Sequence, residues 1–560
     1  MQYILFYDII ILLLKGVNHG INATQRNAKN LLANFFHCKN KLNIILFIIL
    51  IIAIILSSFI QIYTFPRRLI HNDQVIAVYD MLKHYESGKI PTTGPRFIGT
   101  TAIAGYNNTA RLPGGAFYII MTLFYKISGE NLDIARTINM IFSLIVILTF
   151  IFWIYKKFGF LMSVIAYIFI FFNGYTLKAT TDFWNPSLVL ILSFILYMLL
   201  YEYISETDEK TKKLSAIFLF PILAIMGQSH FATFFSMTST LIVYLIIRFK
   251  YTKKYLLYLG IGIFISFLLY SPYLITEIQN NFQNTIMILN TRAGLNKFPF
   301  PQIYAVLFYP TNEMSTYFGT RLNSILHFWL SKPPYIYGLI FLFVSVIFSL
   351  FCFIKSIILL IKKNYIDDKE KNLVEIFFIL LLSIPVTILS FIIFKSKSGS
   401  FWYLYSLFSL SFTPIFLFFY RIKNKTNNTK YLTIIFSLLT LNIFAMTGEL
   451  FRYVNMFEYS RGYEVLEKIV KIIKEDAKDN SVSVAYLYEP KDTYNDIIEV
   501  YFSQYNIKIS QNPDIRYIIK DKTWEWNWDD ERNKRDMEYI KENNGKEIAD
   551  IGAITLYRLE

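Results

Sequence analysis

Long apolar runs, separated by short polar and basic stretches, dominate the chain from residue 42 to about residue 450. Segments that can be drawn as spans fall at about 42–63, 134–155, 160–177, 186–204, 214–228, 231–248, 255–275, 336–361, 374–394, 401–420 and 431–449. About 20 helical residues at a rise of roughly 1.5 Å cross a hydrocarbon core of about 30 Å, so these runs read as membrane helices. A transmembrane β-barrel would instead show roughly ten-residue alternating segments. The stretch LPGGAFYIIMTLFYKIS (112–128) is apolar but short, and it predicts a re-entrant or interfacial helix.

After residue 450 the pattern changes. Glu464 to Ala477 carries apolar residues at helical spacing (Val465, Leu466, Ile469, Val470, Ile473), while Ser481 to Tyr488, Ile515 to Ile519 and Ile551 to Leu559 alternate or run apolar like strands. TWEWNWDDERNKRD is expected to be a loop. The fold expected is a polytopic α-helical membrane protein of about 11 transmembrane helices plus the re-entrant or interfacial helix, with a small C-terminal α/β extracytoplasmic domain. Its expected parts are a basic segment 1–41, a membrane domain 42–450 and a soluble domain 451–560.

Composition agrees. Hydrophobic residues are 54% and charged residues 17% of the 560 positions. The formal charge of +15 divides unevenly, because residues 451–560 hold 17 Lys+Arg against 22 Asp+Glu and the remainder holds 38 against 18. A basic membrane part with a mildly acidic tail points to loops at a membrane surface, and no soluble basic stripe with stacking aromatics argues for nucleic acid. Cys38 and Cys352 lie far apart, so neither a disulfide framework nor a zinc site is expected. No ligand cluster calls for a divalent metal, and no cofactor is expected. Residues 1–14 are apolar but precede their basic residues, the reverse of a signal peptide, and read as an interfacial segment or a misassigned start.

Basic short loops mark the cytoplasmic side. With eleven spans the N-terminal region, Lys156-Lys157, Lys212-Lys213, Arg248 to Lys254, Lys362-Lys363 and Arg421 to Lys430 all fall on one face. The N-terminus is then cytoplasmic and the C-terminus extracytoplasmic, with the long loops 64–133 and 276–335 outside. Arg67, Arg68, Lys178, His230, Arg292, Arg321, Lys395 and Lys397 would sit on that outer face. Individually such cations can be statistical exceptions, but as a set near helix ends they suit an anionic ligand such as a lipid phosphate.

Asp73, in FPRRLIHNDQVIAVYDML, is the leading candidate for chemistry. A transferase moving a sugar from a phosphate carrier needs a carboxylate for the acceptor hydroxyl and cations for the departing phosphate, and Asp73 with Arg67, Arg68 and His71 offers both. The plain alternative is that Asp73 caps a helix over 74–85. Asp80, seven residues on and near the same face, is a weaker second candidate. In TTDFWNPSL, Asp182 and Asn185 precede Pro186, where Asn185 can cap a helix whose N-terminus would bind an anion. In GQSHFA, Gln228 and His230 lie between two spans, and His230 can donate to a phosphate or simply pack. In KSKSGSFWYLY, Lys395 and Lys397 form a basic turn.

One long span, an external loop opening on an acid-bearing helix, then LPGGAFYIIMTLFYKISG and IARTINMIFSLIVILTFIFWIYKKFG: this layout resembles the GT-C glycosyltransferases. It is similar in particular to the protein O-mannosyltransferase, aminoarabinose-transferase and RgtA/B/C/D-like branch. The resemblance covers about 60–275. Those families usually carry an Asp-Glu pair where this chain has Asp73-Gln74, and a His-Pro-Pro-like segment where it has Leu112-Pro113-Gly114-Gly115. The resemblance implies an inverting hexosyl or pentosyl transfer in a cell inner or plasma membrane. The donor would be a polyprenyl-phosphate sugar, with membrane lipids around the protein and an envelope glycan, a lipid or a protein as acceptor. It implies Asp73 as acceptor base, and Arg67 or Arg68, His230 and Lys395 or Lys397 on the carrier phosphate, with Arg292 and Arg321 on a closing loop. The rival readings are a lipid-linked saccharide transporter or flippase, which would show paired repeats and midplane charges, and a non-catalytic GT-C-like scaffold in envelope assembly.

Overall fold

The computed structural model describes residues 41–67, 72–96, 109–290, 305–310, 336–393, 401–425, 437, 462–487, 495–521, 530–552 and 554–559. The chain divides into two compact units, Met1–Leu56 and Ser57–Glu560, and the second carries the candidate site. Among the described residues six helices are long and apolar enough to cross a membrane, or seven if one pair bent by 69° counts as a single span. They are α1 (Lys41–Arg67), α4 (Leu132–Phe158), α7 (Asn185–Ile204), the run ending in α10 (Leu256–Gln279), α12 (Ile336–Lys362) and α13 (Asp368–Ile393); the bent pair is α5 (Phe160–Phe171) with α6 (Gly174–Thr181).

The other expected spans are helical but do not meet that length and apolarity. Residues 214–228 belong to α8 (Glu209–Ser229), whose first turns are charged; 231–248 forms a π turn (Phe234–Thr238) leading into α9 (Ser239–Ile247). Residues 401–420 begin as two 3₁₀ turns (Phe401–Leu407 and Ser409–Phe412) and continue as α14 (Thr413–Lys425). The span expected at 431–449 lies outside the described residues apart from Ser437.

α4 shows why these runs become helices. Asn131 caps it by accepting from the Ile134 N–H at 3.0 Å, Asp133 stands in its first turn, and Lys156 and Lys157 stand in its last, which suits the helix dipole. Gly159 ends it at φ +88°. Its polar residues, Arg136, Asn139 and Ser143, turn inward at helical spacing, whereas Ile145, Leu148 and Phe152 are exposed. Apolar side chains outward and polar ones inward are what a lipid solvent selects. α7 is the central post, buried almost throughout, and small residues let its neighbours approach: Ser409 donates through Oγ to the Ser193 carbonyl at 2.7 Å.

The stretch 112–128 folds as β2 (Arg111–Pro113), a glycine turn and the short helix α3 (Ala116–Ile127). Ile119, Leu123 and Ile127, four residues apart, leave an exposed apolar stripe on α3, as an interfacial helix requires. β2 pairs antiparallel with β1 (Thr93–Arg96). The glycines of LPGG are structural. Gly114 holds φ +90°, and a Cβ on Gly115 would lie 1.9 Å from the Pro91 carbonyl oxygen. Gly115→Ala is therefore expected to destabilise the protein by about 3 kcal/mol, read as a lower melting temperature of the purified full chain.

The C-terminal elements are α15 (Tyr463–Ala477), β3 (Val482–Leu487), α16 (Asn495–Gln504), β4 (Ile515–Asp521), α17 (Asp530–Glu542), β5 (Gly545–Ile551) and β6 (Ile554–Leu559). The sheet order is β3-β4-β6-β5, with β3 and β4 parallel and the other pairs antiparallel. All five apolar positions expected to form the α15 stripe are buried. Two elements correct the sequence reading. β5 joins β6 as a hairpin, and the second half of the stretch expected to be a loop belongs to the helix Asp530–Glu542, anchored by Ile540 against Ile518 and Tyr557.

These elements are tied to the start of α4. The Tyr501 hydroxyl donates to Asp133 Oδ1 at 3.0 Å, Gln504 Oε1 accepts from the Leu132 N–H at 3.2 Å, and the Arg136 guanidinium lies 3.3 Å from the centre of the Tyr463 ring. Arg136 also donates to Asp133 at 3.1 Å and to the Phe65 carbonyl at 3.1 Å. A buried cation shared among Asp133, the Phe65 carbonyl and the Tyr463 ring fixes the tail against the membrane helices.

Candidate functional site

Helix α2 (Asn72–Glu86) brings the two acids of the first loop to different surroundings. It begins at Asn72, so Asp73 lies in the first turn and not at the cap. Asp73 is exposed, yet protein crowds it closely enough that desolvation raises its carboxyl above the usual aspartate value. Among the described residues no cation pairs with it. Tyr403 stands within its electrostatic reach, and the Tyr403 ring packs edge-on against His230 with centroids 5.0 Å apart. Trp184 and Trp402 meet edge to face at 5.3 Å. Asp73, His230 and Tyr403 thus come together from α2, the turn after α8 and the first 3₁₀ turn.

Gln74 points the other way. Its side chain is fully buried, and neither amide atom finds a partner among the described residues. A glutamate here would place a charge in the interior, so this position accommodates a neutral side chain and Asp73 alone of the pair faces solvent.

Asp80, two turns further on, is fully buried and doubly paired. Arg96 donates to both of its oxygens at 2.6 and 3.1 Å, Arg111 donates to Oδ2 at 2.9 Å, and the Tyr118 hydroxyl donates to Oδ2 at 3.1 Å. Asn284, from α11 (Gln283–Asn290), brackets Arg111: its Oδ1 accepts the Arg111 N–H at 2.7 Å and its Nδ2 donates to the Arg111 carbonyl at 2.9 Å. Buried Glu277 in turn accepts from the Thr285 N–H at 2.7 Å. Asp80 is therefore the anchor of β1, β2 and α3, with no acid function left to offer. Sequence reasoning did not identify Arg96 and Arg111; their signal was two arginines in the same loop as a spare aspartate.

His84 lies over Tyr118, ring centroids 4.9 Å apart, beside this network. Burial, helped by the Arg111 charge, pulls its pKa down to about 4 against the ordinary 6.5, although Asp80 opposes the shift. The unfolded chain therefore binds more protons than the folded one between those values, so the contribution of neutral His84 is intact above pH 6.5 and is lost as pH falls toward 4. The melting temperature of the wild type is expected to fall across that window, and His84→Gln to flatten that part of the profile. An identical slope in the variant would contradict the assignment.

Other expected site residues serve structure. Arg67 stacks on Tyr63 at 4.2 Å, donates to the Tyr63 carbonyl at 3.0 Å and pairs with Glu464 at 3.7 Å, so the tail engages it. Asn185 does not cap α7; its Nδ2 donates to the Ser229 carbonyl at 2.9 Å. Gln228 is a bracket, accepting from the Ala116 N–H at 3.0 Å and donating to the Leu269 carbonyl at 3.2 Å. Asp182 ends α6 as a buried residue near Tyr463, and a buried carboxylate at the mouth of α7 opposes an anion there. His230 is held neutral by burial, with its pKa lowered to about 4, so it offers a phosphate a hydrogen bond and no positive charge. Arg68, His71, Arg292, Arg321, Lys395 and Lys397 lie outside the described residues. Among the described residues no group of three or more His, Cys, Asp or Glu is placed to hold a metal ion.

The fold is shared with a solved membrane protein at low sequence identity. It is similar to ArnT from Cupriavidus metallidurans bound to undecaprenyl phosphate, which matches 91% of this chain and 97% of its own length at 9% identity with a TM-score of 0.53. The same protein in the apo state gives 0.45 at 9% identity over the same shares of both chains. The archaeal oligosaccharyltransferase AglB from Archaeoglobus fulgidus, in complex with an inhibitory peptide and a dolichol-phosphate, gives 0.36 at 12% identity over 86% of this chain and 70% of its own. No family model and no curated protein matches the sequence.

Proposed function

We propose that this chain is an integral membrane glycosyltransferase that moves a sugar from a polyprenyl-phosphate donor to an extracytoplasmic acceptor. The observation that carries this reading is Asp73: an exposed carboxylate with a raised pKa and no cation partner among the described residues, near Tyr403, which packs on His230, on a fold shared with a protein bound to undecaprenyl phosphate. Asp73 accepts the proton of the acceptor hydroxyl as the oxygen attacks the anomeric carbon, and the carrier phosphate leaves with the bonding pair. Desolvation that raises its pKa makes the carboxylate a better base. His230 donates a hydrogen bond to the departing phosphate, and Arg68, Lys395 and Lys397 supply positive charge to it. Arg67 has the lesser part, because Glu464 and Tyr63 already hold it. The tail after residue 450 binds the acceptor or covers the site.

The test is transfer by purified full-length protein from a panel of radiolabelled polyprenyl-phosphate sugars, with nucleotide sugars alongside. Labelled product from a lipid donor alone supports the reading. Turnover from nucleotide sugars, or movement of intact donor across a bilayer without transfer, would replace it.

A further inference from the structure

A second site lies at the opposite, basic ends of the membrane helices. Between α12 and α14 is a cavity of about 290 Å³, to which α12 contributes Lys355 and Leu359 and α14 contributes Leu417, Phe418, Arg421 and Lys425. Arg421 is fixed there by buried Glu370, donating to its two oxygens at 3.2 and 3.3 Å, and by Asn364. Among the described residues Glu370 is the one acid bonded to a cation of this cavity. Lys355 and Lys425 are exposed and have no acidic partner among those residues, so the cavity keeps a surplus of positive charge.

Lys355 is the telling residue. It stands seven positions before Lys362, the end of α12, which is about 10 Å along the axis. It borders the stripe Phe351, Ile354, Ile358 and Ile361, all exposed at helical spacing and so turned to acyl chains. An ammonium at that depth is expensive unless it reaches the interface or meets an anion. Three cations and three apolar side chains around one opening, beside a lipid-facing stripe, match a phosphate headgroup with an acyl chain packed next to it.

We propose that this cavity binds an anionic glycerophospholipid, with its headgroup phosphate held by Lys355, Arg421 and Lys425 and its acyl chain laid along Leu359, Leu417 and Phe418. This site is independent of the acid on the other face. The charge of two lysines with no acidic partner among the described residues favours an anionic headgroup over a zwitterionic one of the same chain length.

The experiment is native mass spectrometry of the full chain in detergent, titrated with dioleoyl phosphatidylglycerol, dioleoyl phosphatidylcholine or inorganic phosphate. Phosphatidylglycerol is expected to bind at least tenfold more tightly than phosphatidylcholine. Lys355→Gln with Lys425→Gln is expected to abolish that preference, and Lys355→Arg with Lys425→Arg to retain it. Both lysines are exposed, so neither pair of changes threatens the fold. Equal affinity for the two lipids, or a preference unchanged in the glutamine variant, would overturn the proposal. So would full displacement of phosphatidylglycerol by millimolar inorganic phosphate, which would make this a site for free phosphate.

Discussion

Asp80→Ala is expected to cost the protein about 3–5 kcal/mol of stability, enough to remove most folded protein from a detergent extract. The side chain is fully buried, and two guanidiniums and a phenol converge on it. Removing the carboxylate leaves Arg96, with a side chain only 1% exposed, as a charge in a closed interior. Arg111, at 11%, reaches solvent more easily, so Arg111→Gln is expected to be the milder lesion. The loss should appear in the melting temperature and in the yield of monodisperse protein. Asp80→Ala melting within about 2 °C of wild type would mean that the pair contributes no more than a surface salt bridge.

The second large effect concerns the other acid of the same helix and has the opposite character. Asp73→Asn is expected to slow transfer by roughly 10²–10⁴-fold, the range for removing a positioned general base, while the melting temperature stays near wild type. Asp73 is exposed and no described cation depends on it, so an amide fits its place without leaving a buried charge. Because its pKa is raised, wild-type activity should fall as pH drops through that value and Asp73 takes up a proton. Seven residues apart on one helix, the two acids divide into one that holds the loop and one that is free to react.

Six of the eleven expected spans, the short helix after Pro113 and the α15 stripe were legible in the sequence, because each is a pattern that water or lipid alone selects. The site was less so. The partners of Asp80 lie 16 and 31 residues away, and those of Gln228 112 and 41 residues away. A local pattern carries no trace of such pairings. Asn185 looks like a cap because capping is a local rule, but it already lies inside the helix, and its amide N–H goes to a carbonyl 44 residues on. Asp73 could be picked out because its setting is local: an acid in the first turn of a helix just beyond a span.

The account rests most directly on the rate of sugar transfer by folded Asp73→Asn protein, measured beside wild type with the same polyprenyl-phosphate donor. Equal melting temperatures with transfer reduced at least a hundredfold is the predicted result. Transfer at the wild-type rate in the folded variant would contradict it.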